Sequence, residues 1–264
     1  MKIGVIGNGF VGNAVGLGLG EKGDEIRAWD MNPSRSPHTL EQVVDSDIIF
    51  VCVPTPTDEG RQDRYAVEDT IRIIAEMNPH AIVVMKSTVL PGTCDRLSRE
   101  NGLSVISNPE FLTARTAAYD FLHPTSIVLG SVLPLPLGEM QVFYEERFPG
   151  VPVFAYPSGA GAEFTKYARN TFFAVKVAYM NELAEMADKL GLDWGDVKEG
   201  LLASGWVNPM HMDVPGPDGK LGFGGACLPK DSAALARFGR SNGSHFRVLE
   251  AAMATSKAFR GDDD

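Results

Sequence analysis

Cysteine is scarce in this chain: three in 264 residues, at Cys52, Cys94 and Cys227. So odd and sparse a set has neither the look of a disulfide framework nor metal-ligand spacing, and no metal is expected. Long apolar runs are missing too. None reaches the roughly 20 residues of a membrane span, and the amino terminus enters a strand pattern at once, so neither membrane partner nor signal peptide is expected. Positive charge is in deficit, with 24 Lys and Arg against 34 Asp and Glu, a net charge of −10 and a pI near 5.0. That balance argues against a sequence-independent nucleic-acid binder, and any phosphate site must rely on local groups. Internal repeats and low-complexity tracts are absent. The remaining composition, 44% hydrophobic and 22% charged, is that of a soluble globular protein, expected in the cytoplasm.

What is present begins at the amino terminus. A short apolar strand runs into Gly7-Asn8-Gly9-Phe10-Val11-Gly12, followed by a helical pattern. In this G-x-G-x-x-G arrangement Gly7 permits a tight turn, Gly9 lets backbone approach a pyrophosphate, and Gly12 allows close helix–strand packing. The helix N-terminus, at Phe10 and Val11, then faces the phosphates. The next strand ends at Asp30, placed to hydrogen-bond the ribose hydroxyls of NAD and to repel a 2′-phosphate. Arg35 lies close by and leaves NADP open.

Apolar runs at 48–53, 81–85, 103–106, 126–129 and 151–154 alternate with helical stretches near 39–44, 66–77, 93–99 and 137–147. Continuous apolar strands alternating with helices predict an α/β, Rossmann-type doubly wound and mostly parallel sheet over residues 1–156. The pattern breaks at Tyr156-Pro157-Ser158-Gly159. Residues 157–264 read as an all-helical domain: a long helix over 160–190 ended by Gly191, and a helix capped by Asp193 up to about 202. A Gly/Pro/Asn-rich loop over 204–226 follows. Two more helices are predicted near 229–238, stopping at Gly239, and near 246–259. The tail at 261–264 is expected to be frayed.

Chemistry concentrates in the stretch Gly222-Phe223-Gly224-Gly225-Ala226-Cys227-Leu228-Pro229-Lys230-Asp231. Pro229 suits a first helical turn, which puts Cys227 at the positive end of a helix dipole, where a thiolate is favoured. Asp231 returns to the same face one turn on. A nucleophile with a carboxylate one turn away serves covalent chemistry on a carbonyl, although a buried inert cysteine beside a helix cap has the same sequence. In the long helix, Lys166 and Asn170 share a face and can hold an oxyanion or a sugar hydroxyl, or simply form a solvated face. Pro54 and Thr55 after the third strand, and Ser87 and Thr88 after the fourth, fall at the carboxyl edge of the sheet, where ligands bind. Glu110 in Asn108-Pro109-Glu110-Phe111-Leu112 follows the fifth strand and is equally a site residue or a helix-start carboxylate.

Taken in order, GxGxxG, VPTPT, KSTVLPGT, NPEFL, the Lys166/Asn170 helix and GFGGACLPKD resemble the UDP-glucose/GDP-mannose dehydrogenase family across nearly the whole chain. The resemblance implies a Rossmann domain joined to a central helical domain, a homodimer through the 160–190 helix, and NAD as the acceptor of two successive hydrides from a nucleotide sugar. It also implies roles. Cys227 is the nucleophile, Lys166 and Asn170 stabilise the developing oxyanion, Asp231 assists proton transfer or positions water, and Thr88 lies near nicotinamide and alcohol, with Glu110 in the matching NPEF motif. The chemistry agrees: an alcohol needs only a base and a hydride acceptor, whereas an aldehyde must first become a tetrahedral adduct, which a thiolate supplies.

Three departures from the family pattern all concern the substrate. Ala114 stands where members usually carry an acid four residues after the NPEF glutamate. The 205–211 loop has no arginine, with Trp206 or His211 in its place. The sequence stops at Asp264, where typical members continue into a nucleotide-binding domain, so a short form is expected. The alternatives are a two-electron alcohol or hydroxyacid dehydrogenase in which Cys227 is incidental, and a non-catalytic NAD-binding module.

Overall fold

In the computed structural model, which describes residues 1–261, the first strand is β1 (Lys2–Ile6). Helix α1 (Phe10–Glu21), β2 (Glu25–Trp29), a 3-10 turn at Pro33–Arg35 and α2 (Leu40–Val44) follow. Next come β3 (Ile48–Val51), the short strands β4 (Thr57–Asp58) and β5 (Arg61–Gln62), and α3 (Tyr65–Met77). The pattern continues with β6 (Ile82–Met85), α4 (Thr93–Asn101), β7 (Ser104–Ser107), α5 (Ala117–Leu122), β8 (Ile127–Gly130), α6 (Pro134–Arg147) and β9 (Val153–Tyr156). Four helices complete the chain: α7 (Gly159–Lys189), α8 (Trp194–Ala203), α9 (Leu228–Ser241) and α10 (Arg247–Arg260). The chain forms two compact units. One comprises residues 1–56 and 62–166; the other comprises 57–61 and 167–264. The expectation of a frayed tail falls mostly on residues 262–264, outside the described residues.

The first unit is built on one sheet of order β2-β1-β3-β6-β7-β8-β9, parallel except where β7 meets β8. Because side chains alternate across a strand, each strand feeds two cores. Ile3, Val5, Phe50, Val84 and Ile106 point to the side covered by α1, α5 and α6, through Val15, Leu19, Phe121, Met140 and Phe143. Ile6, Ile49, Val51, Val83 and Val105 point to the side covered by α2, α3 and α4, through Val43, Ile71, Ile74 and Leu97. Strand order reverses between β1 and β3, and the crevice beyond the carboxyl ends of two such strands is where ligands bind in this architecture. The loops after β1, β3 and β6 all reach that edge.

Two predicted starts and stops in the second unit have clear causes. Asp193 caps α8, its Oδ1 accepting from the Asp196 N–H at 3.2 Å. Gly239 does not stop α9, which runs on to Ser241. A Cβ at Gly239 would lie 2.5 Å from the Phe246 ring, so this glycine serves close packing of Phe246 within the unit instead of ending the helix.

Candidate active site

The glycine turn after β1 has the shape a dinucleotide needs. Gly7 sits at φ +91°, and a Cβ there would lie 2.7 Å from the Cys52 backbone, so only glycine fits. A Cβ at Gly12 would run into the Gly7 carbonyl, which is how α1 packs so closely on β1. Above Gly9 the space is open: a Cβ there would meet only the Arg35 guanidinium tip, at 4.0 Å. Helix α1 starts at Phe10 with no side chain capping it, so its first N–H groups are available to an anion. Asp30 stands just past β2, with Oδ1 accepting from the Asn32 N–H at 2.8 Å. The turn and the acid therefore fit NAD, with Gly7, Gly9, Phe10, Val11, Gly12 and Asp30 as the residues that would hold it.

The neighbouring loops of the sheet edge are tied together. Thr55 Oγ1 donates to the Thr88 carbonyl at 2.8 Å, as does Gln62 Nε2 at 2.9 Å. Ser87 Oγ donates to the Val53 carbonyl at 2.6 Å. Thr55 is buried and Pro54 exposed. The 86–93 loop is also fixed from α7. Glu163 Oε2 accepts from the Gly92 N–H and Oε1 from the Cys94 N–H, capping α4, while Asp95 of α4 accepts from the Gly159 N–H and the Ser158 hydroxyl at the start of α7. Burial pushes the Glu163 carboxyl up to about 7.

Glu110 and Lys166 meet in the first unit. Lys166 Nζ donates to Glu110 Oε1 at 2.9 Å and to the Glu110 carbonyl at 2.7 Å, with both side chains under a tenth exposed. A solvated face is therefore excluded for Lys166. Removing either partner would strand a buried charge, at a cost of about 3–5 kcal/mol. Beside the pair lies a lysine that sequence reading passed over. Lys86 is buried, donates to Asn108 Oδ1 at 3.1 Å, and is pushed down to about 8 by its burial. Its one visible signal was a charged residue directly after an apolar strand, a position normally core-facing.

In the second unit, Asn170 Nδ2 donates to Asp231 Oδ2 at 2.6 Å, with both residues buried. Lys230 Nζ donates to the other oxygen, Asp231 Oδ1, at 2.6 Å. Cys227 is exposed and stands at the N-cap of α9, its carbonyl accepting from the Asp231 N–H at 2.9 Å. Lys166 and Asn170 thus each engage a carboxylate of their own. Trp206 is 93% exposed, and the His211 ring rests on Phe173 with centroids 4.4 Å apart. Ala114 is exposed in the segment between β7 and α5. Among the described residues no cluster of metal ligands is found, and no helix is long and apolar enough to cross a membrane.

Comparison with known proteins identifies the family. Residues 36–147 match the NAD binding domain of the UDP-glucose/GDP-mannose dehydrogenase family, and residues 160–257 match that family's central domain. The UDP-glucose 6-dehydrogenase of Rickettsia conorii is 30% identical over 295 residues, covering 97% of this chain and 67% of that protein. This chain belongs to the UDP-glucose/GDP-mannose dehydrogenase family. As a member it is an NAD-dependent dehydrogenase, and NAD is the cofactor of its first domain. The UDP-glucose 6-dehydrogenase of Haloferax volcanii is 29% identical over 96% of the chain and 69% of that protein. The family fold recurs in a UDP-glucose dehydrogenase structure from Pyrobaculum islandicum, with a TM-score of 0.85, 28% identity and coverage of 97% of this chain and 68% of that one. The chain thus spans about two thirds of the length of these family members. A Mycobacterium tuberculosis 3-hydroxyisobutyrate dehydrogenase shares the fold at a TM-score of 0.74 and 19% identity, covering 99% of this chain and 95% of that one.

Proposed function

We propose that this dehydrogenase oxidises the primary alcohol of a nucleotide sugar to the carboxylate in two successive steps. The observation that carries the reading is the buried Asn170–Asp231 hydrogen bond, one turn along α9 from the exposed Cys227. The substrate class is supported by the similar proteins named UDP-glucose 6-dehydrogenase. We assign residues 1–156 to NAD binding and 157–264 to the catalytic helix and cysteine motif.

NAD, when bound, supplies the hydride acceptor for both oxidations. Pro54, Thr55, Ser87 and Thr88 border its place at the sheet edge, and the Thr88 hydroxyl orients the substrate alcohol. In the first step the alcohol carbon gives up hydride and its oxygen passes a proton to water, leaving an aldehyde. The Cys227 thiolate then adds to the aldehyde carbon, and the carbonyl π pair moves to oxygen. Lys166 and Asn170 steady that oxygen: Glu110 takes two of the three ammonium donors of Lys166, and Asp231 takes one of the two amide donors of Asn170. Glu110 thereby aims Lys166. Loss of the second hydride turns the adduct into a thioester. Water, its proton drawn by Asp231, attacks the thioester carbon; the C–S bond breaks, the thiol is restored and the carboxylate leaves. With Ala114 in place of the usual acid, that last step rests on Asp231.

We also propose a homodimer through α7, where Phe172, Tyr179 and Met186 recur every seven residues and are each more than half exposed. A reducing cytoplasm suits a thiol nucleophile. Cys227→Ser tests the reading: it should abolish acid formation and leave NAD binding intact. Acid made at the normal rate by that variant would overturn the thioester route.

A further inference from the structure

We infer that Arg260, the last residue of α10, is a positioning residue for Cys227: its guanidinium fixes the glycine loop that sets where the thiol stands. The inference rests on the reading of Cys227 as the nucleophile. The loop itself gives the reason. Gly222 and Gly225 both have positive φ, +70° and +76°, so the backbone before Cys227 has conformations open to it that other residues would forbid. A loop of this composition holds one shape only if side chains hold it.

Three side chains do so, at three successive residues. Asn181 Oδ1 accepts from the Gly222 N–H at 3.0 Å. Ser256 Oγ accepts from the Phe223 N–H at 2.9 Å and donates to the Phe223 carbonyl at 3.3 Å. Arg260 Nη1 donates to the Leu221 and Gly222 carbonyls, both at 3.2 Å, and Arg260 Nη2 donates to Asp218 Oδ2 at 2.5 Å. Asn181 and Ser256 each hold the backbone of a single residue. Arg260 bridges two carbonyls and a carboxylate, and its side chain is only 9% exposed. It also reaches one residue further along the loop toward Cys227, to Gly224. A Cβ on Gly224 would run into the guanidinium, so a side chain there would displace the arginine from this position, and Gly224 lies three residues before Cys227.

A planar fork with several donors suits this task, and a lysine ammonium does not reproduce it. The consequence is selective. Alcohol oxidation makes no use of the thiol, whereas aldehyde oxidation needs the sulfur in attack position. Misplacement of a reacting group by about 1 Å can cost on the order of a hundredfold in rate. Without Arg260 the first oxidation should persist and the second should fail.

The test compares wild type, Arg260→Ala, Arg260→Lys and Asp218→Asn. Two readouts are used: NADH formed per UDP-glucose, with semicarbazide present to trap aldehyde, and the rate of Cys227 alkylation by iodoacetamide, read by intact mass. Arg260→Ala should bind NAD normally, yield close to one NADH with trapped aldehyde, and change the alkylation rate about tenfold or more. Arg260→Lys should restore neither readout fully. Asp218→Asn should shift both in the same direction to a smaller extent, and it decides the matter if Arg260→Ala does not fold. Wild-type NADH yield and wild-type alkylation in the folded variants would overturn the inference. Should wild type give one NADH without semicarbazide, the thioester reading falls, and the alkylation rates alone still judge whether Arg260 positions the thiol.

Discussion

Replacing Glu163 with glutamine should remove a specific pH dependence from the stability of the first unit. Glu163 accepts from the Gly92 N–H at 2.5 Å and from the Cys94 N–H at 2.8 Å, so it caps α4 from α7. Its burial pushes the carboxyl up to about 7 against an ordinary value of 4.5, and the hydrogen bonds oppose this only in part. Between those values the folded protein keeps a proton that the unfolded chain has released. The resulting stabilisation is complete below about pH 4.5, declines as pH rises, and is gone above about pH 7. At about 1.4 kcal/mol per pK unit it amounts to about 3 kcal/mol. Glutamine does not titrate. It also offers one acceptor oxygen to two N–H donors, which costs about 1–2 kcal/mol at every pH. Urea unfolding reported by Trp29, in a Trp194→Phe, Trp206→Phe background, isolates this unit. The stability of the parent relative to Glu163→Gln should fall by about 3 kcal/mol from about pH 4.5 to about pH 7.5, so that the parent is the more stable at the acid end and the less stable at the neutral end. A gap constant across that range would refute the reasoning.

Three other outcomes are expected. Gly7→Val forces a side chain into a left-handed backbone position and against the Cys52 backbone, so NAD binding should be lost by calorimetry, with a stability loss of about 1–3 kcal/mol. Asp231→Asn should keep NAD affinity while lowering kcat by roughly a hundredfold or more, and acyl-enzyme should accumulate on Cys227 by intact mass. Tyr179→Asp, at the centre of the exposed α7 stripe, should shift sedimentation from dimer to monomer without altering the helical circular dichroism.

Much of the first unit was legible in the sequence because its signals are local. Gly7, Gly9 and Gly12 follow a strand within a few residues, Asp30 comes directly after the next strand, and β3 and β6 are unbroken apolar runs. The Asp193 cap was legible for the same reason, since its partner is Asp196. What escaped depends on distant partners. Lys166 reads as a surface lysine until Glu110, 56 residues away, meets it in a buried pair. The reciprocal capping of α4 and α7 joins residues 63 to 71 positions apart. Gly239 carries a helix-stop signal, yet its true partner is the Phe246 ring. The β4 and β5 strands are two residues each, too short for any alternation to appear. Arg260 lies just past the helix predicted near 246–259, and only the fold brings it to the loop before Cys227.

The measurement that bears most directly on the thioester mechanism is the number of NADH molecules formed per UDP-glucose consumed, followed in wild type and Cys227→Ser. The account predicts two for wild type, with a substrate-derived adduct on Cys227 caught by rapid acid quench and intact mass. It predicts no acid from Cys227→Ser. One NADH per substrate, with Cys227→Ser as active as wild type, would contradict it and leave a simple two-electron alcohol dehydrogenase.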